Sequence, residues 1–171
     1  AHRLADELIK GVGWENGKGC AIGCTLEAFD HGKYPVELGI PEQLAHLEDA
    51  IFEGLPNAEA QNWPERFLQA ITPGADLTLV WPKFAIWLLS DEKHGTRQWA
   101  DERGKAATDR VIALFKIVLN GNVVGVSEWD AAAGAAWAAG NAARVARAAW
   151  AADAAWAAGD AARVARAAWA A

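Results

Sequence analysis

The chain predicts an all-α protein: a compact helical domain with a C-terminal Ala/Trp-rich helical repeat, packed on it or across an oligomer. Three observations predict this class. Large apolar residues recur at helical spacing through most segments. Pro41 and Pro64 stand where helices begin, and Pro82 reads the same way. From residue 131 to 171 there is no proline, and alanine, the best helix former, dominates.

The elements follow in order. RLADELIK (3–10) places Leu4, Leu8 and Ile9 on one helical face and stops at Gly11. Residues 11–19 hold four glycines in GVGWENGKG and read as an irregular loop. CAIGCTLEAFD (20–30) reads as a short helix with Ile22, Leu26 and Phe29 on one side, and residues 31–41 as a turn-rich connection. PEQLAHLEDAIFEGL (41–55) carries an apolar stripe of Leu44, Leu47, Ile51 and Phe52. The next helix opens at Asn62-Trp63-Pro64-Glu65, with Phe67, Leu68 and Ile71 inward. Residues 80–89 are apolar nearly all round, which predicts a central core helix begun at Pro82, because an interior proline costs about 3 kcal/mol. A charged stretch (91–110) leads into a buried helix, RVIALFKIVL (110–119). Asn120-Gly121 offers a hairpin turn, but strand patterns are scarce elsewhere.

The tail repeats. AAWAAGNAARVARAAWAA (135–152) returns as AAWAAGDAARVARAAWAA (154–171), differing only at Asn141 and Asp160. One unbroken helix of this length would run about 60 Å and point Trp137, Trp150, Trp156 and Trp169 in four directions. Gly140-Asn141 and Gly159-Asp160 predict instead short antiparallel helices, glycine closing one and Asn or Asp capping the next. Four bare indoles would leave roughly 800 Å² of apolar surface in water, up to ~20 kcal/mol of unused burial. The tail is therefore expected to pack on the body, on another copy or on a partner. The domain expectation is a helical domain over 1–129 and a repeat appendage over 130–171 with a 19-residue period.

Charge is divided unevenly. The net −6 comprises +2 from residue 131 onward and −8 before it. An acidic body argues against binding nucleic-acid phosphates. No run of large apolar residues predicts a membrane span, and residues 1–11 lack the plan of a signal peptide. Residue 1 is not methionine, which leaves room for a trimmed upstream segment. Two cysteines four residues apart point to a reduced, cytoplasmic setting.

Candidate chemistry centres on Gly19-Cys20-Ala21-Ile22-Gly23-Cys24. A cysteine opening a helix would have its thiol pKa lowered, and Cys20 with His31 or His46 as base would imitate a thiol hydrolase. Cys20, Cys24, His31 and His46 form an alternative four-ligand set for zinc. Glu27, Glu37, Glu48 and Glu53 are read as a solvated acidic surface rather than an acid–base pair. No nucleotide-binding glycine pattern is present and no cofactor is expected. Both chemical readings rank below a protein without catalysis. The interaction residues expected from the tail are Trp137, Arg144, Arg147, Trp150, Trp156, Arg163, Arg166 and Trp169, serving a homo-oligomer or a protein partner.

Residues 17–56 and 63–89, with the Gly-Cys segment, the HLEDAIFE helix and the variable Ala-rich repeat that follows them, resemble an uncharacterised family of bacterial and phage proteins. The resemblance implies no activity and transfers no catalytic residue. Ala-rich, Trp-containing tails are also similar in composition to those of some immunity proteins. The function expected is thus a binding or assembly protein of prophage or immunity type, its tail mediating packing or self-association.

Overall fold

The computed structural model describes residues 2–5, 7–145 and 149–169, and they form a mostly helical protein. The chain divides into two compact units, Ala1–Thr78 and Leu79–Ala171. The first unit carries 13 acidic against 5 basic side chains and the second 9 against 11, so the entire acidic excess belongs to the first. The boundary expected at residue 129 falls inside a helix, because the repeat packs with the two long helices before it.

The first unit begins with a 3₁₀ turn (His2–Ala5) and a minimal hairpin, β1 (Trp14–Glu15) paired antiparallel with β2 (Lys18–Gly19). Asn16 and Gly17 form its two-residue turn with φ of 51° and 77°, the combination an Asn-Gly turn requires. The loop expected here is a hairpin. Helices α1 (Ala21–Leu26), α2 (Tyr34–Leu38), α3 (Glu42–Gly54), α4 (Asn57–Ala60) and α5 (Trp63–Gln69) follow. Pro41 and Pro56 stand one residue before α3 and α4, and Pro64 lies in the first turn of α5. Along α3 the buried positions are Leu44, Ala45, Glu48 and Phe52, while Leu47 and Ile51 are half-buried.

The second unit comprises α6 (Val80–Ser90), α7 (Glu102–Leu119), α8 (Val126–Val145) and α9 (Ala149–Trp169), with a 3₁₀ turn at Thr96–Trp99. Helix α7 starts earlier than its apolar run implies, because the Asp101 carboxylate accepts the Gly104 N–H at 2.8 Å and caps it. It ends at Gly121, φ 77°, where the Gly121 N–H donates to Val118 O at 2.9 Å. Asn120-Gly121 therefore closes a helix rather than turning a hairpin. Helix α6 buries Trp81, Pro82, Ala85 and Leu89 but leaves Val80 and Trp87 exposed. It packs on α7, on the Thr96–Trp99 turn and on α9 with part of its surface left in water, and is not the central helix its composition suggests. Phe115 of α7 meets the buried Trp129 of α8, ring centroids 5.0 Å apart.

Helices α8 and α9 run antiparallel. Ala143 packs with Ala152, Trp156 closing the same cluster. Gly140 and Gly159 do not break the helices as expected. Each is a seat for an indole: a Cβ on Gly140 would collide with Trp156, and one on Gly159 would lie 2.8 Å from Trp137. The two rings meet between the seats at 6.3 Å. Helix α8 ends at Val145 and α9 begins at Ala149, and residues 146–148 lie outside the described ones. Phase explains why two helices rather than one carry the repeat. A shift of 19 residues turns an ideal helix about 100° past five full turns, so one continuous rod would aim the two alanine faces apart. Two helices can face each other. Helix α9 also packs on α7 and the Thr96–Trp99 turn, with Ala155 beside Gly104, and Ala154, Ala158, Ala161 and Ala165 along it are buried.

The indole seats predict opposite outcomes for two glycines of one helix. Gly140→Ala should destabilise the protein by about 1–3 kcal/mol, since overpacking outweighs the gain in helix propensity. Gly134, whose Cβ would meet nothing within 4 Å, should gain up to ~1 kcal/mol on the same change. Urea unfolding midpoints of the two variants check this.

Candidate functional site

The first unit gathers a buried polar cluster where α1, α2 and α3 meet. Cys20 is the N-cap of α1, placed by its own N–H donating to Val12 O at 2.7 Å. Gly23 permits this, because a Cβ there would collide with Gly13 O. The backbone N–H groups of Ile22 and Gly23 reach the sulfur and favour the thiolate, but burial and the neighbouring Asp49 carboxylate outweigh them. Desolvation, the largest influence, pushes the Cys20 thiol up to about 12. Cys20 is 2% exposed. It is a protonated, enclosed thiol rather than the activated one expected from its position.

His31 does not face Cys20 as a base. Its Nε2 lies 3.3 Å from Asp49 Oδ2, and its ring stacks on His46 with centroids 4.1 Å apart. Burial and the His46 charge lower the His31 pKa, opposed by Asp49 and Glu42. His46 is half exposed, 3.6 Å from Glu42 one turn earlier. Asp49 thus stands between thiol and imidazole, and the group facing the sulfur is a carboxylate. Cys24 points elsewhere: its thiol donates to Gly19 O at 3.4 Å and approaches Glu7 O at 3.6 Å, and burial raises its pKa. A cavity of about 430 Å³ between Leu4, Leu8, Pro64 and Leu68 has Cys24 in its wall and not Cys20. Among the described residues no group of three or more His, Cys, Asp or Glu side chains is placed to hold a metal ion. The structure thus does not bring Cys20, Cys24, His31 and His46 together: Cys24 faces Gly19 and Glu7, while Cys20 and His31 meet at Asp49, with His46 stacked on His31.

Glu48 and Tyr34 are the members that sequence reading missed. Glu48, expected on a solvated surface, is fully buried. The Tyr34 hydroxyl donates to its Oε2 at 2.6 Å, while Oε1 is buried without a hydrogen-bond partner. The Trp63 indole N–H donates to the Glu48 backbone oxygen at 2.9 Å. Desolvation pushes the Glu48 carboxyl up to about 7, against the Tyr34 hydrogen bond. Burial and the adjacent Glu48 raise the Tyr34 hydroxyl in turn. The signal was available in the spacing, since 44, 48 and 52 fall on one helical face.

The tail residues separate into two groups. Trp137 and Trp156 are occupied by each other and by the glycine seats. Arg163 and Arg166 are exposed, and Arg166 Nε meets Asp130 Oδ1 at 2.7 Å. Arg147 lies outside the described residues, as do the side-chain surroundings of Arg144, Trp150 and Trp169.

A surface feature not expected from sequence lies on α6. Trp81, Phe84, Trp87 and His94 form a row, with successive centroids 6.2, 5.7 and 6.0 Å apart. It runs from the buried Trp81 to Trp87, which is 45% exposed. His94 is fixed because Asp91 Oδ1 accepts the N–H groups of Lys93 and His94 at 3.0 and 2.8 Å, which also lowers the Asp91 pKa. Trp99, 57% exposed, is presented by the 3₁₀ turn that Arg97 ties to Asp109 at 2.6 and 2.8 Å. No described helix is long and apolar enough to cross a membrane. No protein-family model, curated protein or solved structure matches the chain.

The buried carboxyl makes stability pH-dependent. A carboxyl raised from its ordinary 4.5 to about 7 on folding supports the fold fully below 4.5 and loses that support as pH rises through 7, by an order of 3 kcal/mol. Glu48→Gln should flatten this slope between pH 4.5 and 8 in urea unfolding. An unchanged slope would contradict the burial argument.

Proposed function

We propose that the protein is a non-catalytic binding and assembly protein that meets other protein surfaces, in the first place a second copy, through its C-terminal unit. The observation that carries this reading is the aromatic row on α6. Exposed Trp is concentrated where protein surfaces meet, because a rigid indole supplies large contact area at low entropic cost. The packed repeat serves as the platform, holding α7 and with it α6. Partners other than nucleic acid fit the acidic balance of the chain, and free thiols at Cys20 and Cys24 fit a reduced, cytoplasmic setting. The resemblance to uncharacterised bacterial and phage proteins belongs to the same reading and adds no activity.

Phe84→Ser combined with Trp87→Ser should lower the mass measured by light scattering while leaving helicity intact. An unchanged mass, or a wild-type chain that is monomeric at every concentration, would refute the self-assembly reading.

A thiol-dependent hydrolase using Cys20 with His31 or His46 is the second reading. One observation favours it: the N–H groups of Ile22 and Gly23 reach the sulfur at the start of α1. Burial and Asp49 weigh against it. Mild iodoacetamide treatment followed by mass spectrometry separates the two readings. Sluggish labelling of both cysteines in the folded protein, far slower than in urea, is expected of the binding protein; rapid selective labelling of Cys20 would favour the hydrolase.

A further inference from the structure

The α8–α9 pair maps onto itself. Trp137 of α8 seats on Gly159 of α9, and Trp156 of α9 seats on Gly140 of α8. A shift of 19 residues converts each contact into the other, and the two sequences differ at one position in 18. Such a face is isologous, as in a two-fold symmetric dimer: whatever residue i does to j, j does to i. Here both halves of the dimer interface are written into one chain.

We propose that two copies of the chain exchange α9, so that α8 of one molecule pairs with α9 of the other through the contacts seen within the chain. Exchange remakes each indole seat and each alanine contact. The difference between closed and exchanged forms therefore reduces to association entropy, set by chain concentration, and to the connection between the helices. The sequence of that connection holds nothing that favours the closed form. From Ala142 to Ala152 there is no Gly, Pro, Asn, Asp or Ser, and residues 146–148 read Ala-Arg-Ala. Antiparallel helix pairs ordinarily turn on glycine or another residue suited to reversal. A pair whose connecting sequence lacks such a residue gains nothing locally from closing, which is the condition under which exchange is cheap.

A second copy is the occupant that fits. The seat demands an indole three residues ahead of a glycine in antiparallel register, with alanine on both sides so that the backbones can approach. This chain supplies that pattern at Trp137-x-x-Gly140 and Trp156-x-x-Gly159. The exchange does not depend on the α6 aromatic row, so each can fail without the other.

The test uses the full chain with Ala143→Cys and Ala152→Cys, positions packed together across the pair, in a background that also carries Phe84→Ser and Trp87→Ser. The protein is refolded at low and high concentration, oxidised, and run on denaturing gels without reductant, with the bond mapped to positions 143 and 152 by mass spectrometry. Exchange predicts a covalent species of twice the 18.2 kDa chain mass, its share rising with refolding concentration. Intrachain bonds alone at every concentration would overturn the proposal. Should thiols at these buried positions prevent folding, the unaltered chain decides. Labelled and unlabelled copies refolded together should show isotope-filtered NOEs between the Trp156 indole and Gly140 of different molecules, and their absence would overturn it equally.

Discussion

The C-terminal unit depends on two indoles, each resting where a glycine has left out a side chain. Alanine faces allow two helices to approach closely but bury little area apiece. The reciprocal seats of Trp137 and Trp156 supply the large apolar contact that alanine cannot. Because the seats are paired, they also fix register: sliding α9 by one turn would drive both indoles into alanine methyl groups. With α9 held on α8, it can also lie on α7 and the Thr96–Trp99 turn, and Trp129 can close over Phe115. The outer placement of α6, and so the exposure of Trp87, follows from that order of packing.

Much of this was legible in the sequence. The longer helices followed from apolar spacing and from Pro41 and Pro64, and the need to bury the tail followed from the area of its tryptophans. The helix expected over 3–10, however, is a 3₁₀ turn with Leu8 bridged to Gly19, and the connection expected over 31–41 holds α2. The differences share a cause. Local propensity makes glycine a breaker at 140 and 159, whereas tertiary contact with an indole across the pair decides its use. The two Asn-Gly pairs show the same limit. At 16–17 the pair turns a hairpin, at 120–121 it ends a helix, and only the flanking structure distinguishes them. Helix α6 is apolar on every side and so reads as central, but burial requires a neighbour on each face, and α7, α9 and the Thr96–Trp99 turn leave Val80 and Trp87 exposed.

The cluster around Cys20 was legible in part. Cys20 at the start of a helix and His31 nearby were both found from sequence, and the structure brings them to a common neighbour, Asp49. What sequence could not supply was depth. The helix start favours a thiolate, while enclosure and an adjacent carboxylate oppose it, and the opposing influences prevail. Glu48 is the same lesson with the opposite outcome: a carboxyl assigned to solvent on composition proves to be locked under Tyr34. The unit thus holds its helices together with polar groups whose protonated forms the interior favours. That is compatible with a structural role for the acidic unit and a contact-making role for the aromatic one.

The most direct test of the indole seats is a double-mutant cycle between Gly140 and Trp156, read as unfolding free energy. If Gly140 exists to seat the indole, Gly140→Ala is destabilising in the native chain and becomes neutral or stabilising once Trp156→Ala has emptied the space. Equal destabilisation by Gly140→Ala in both backgrounds would contradict the account.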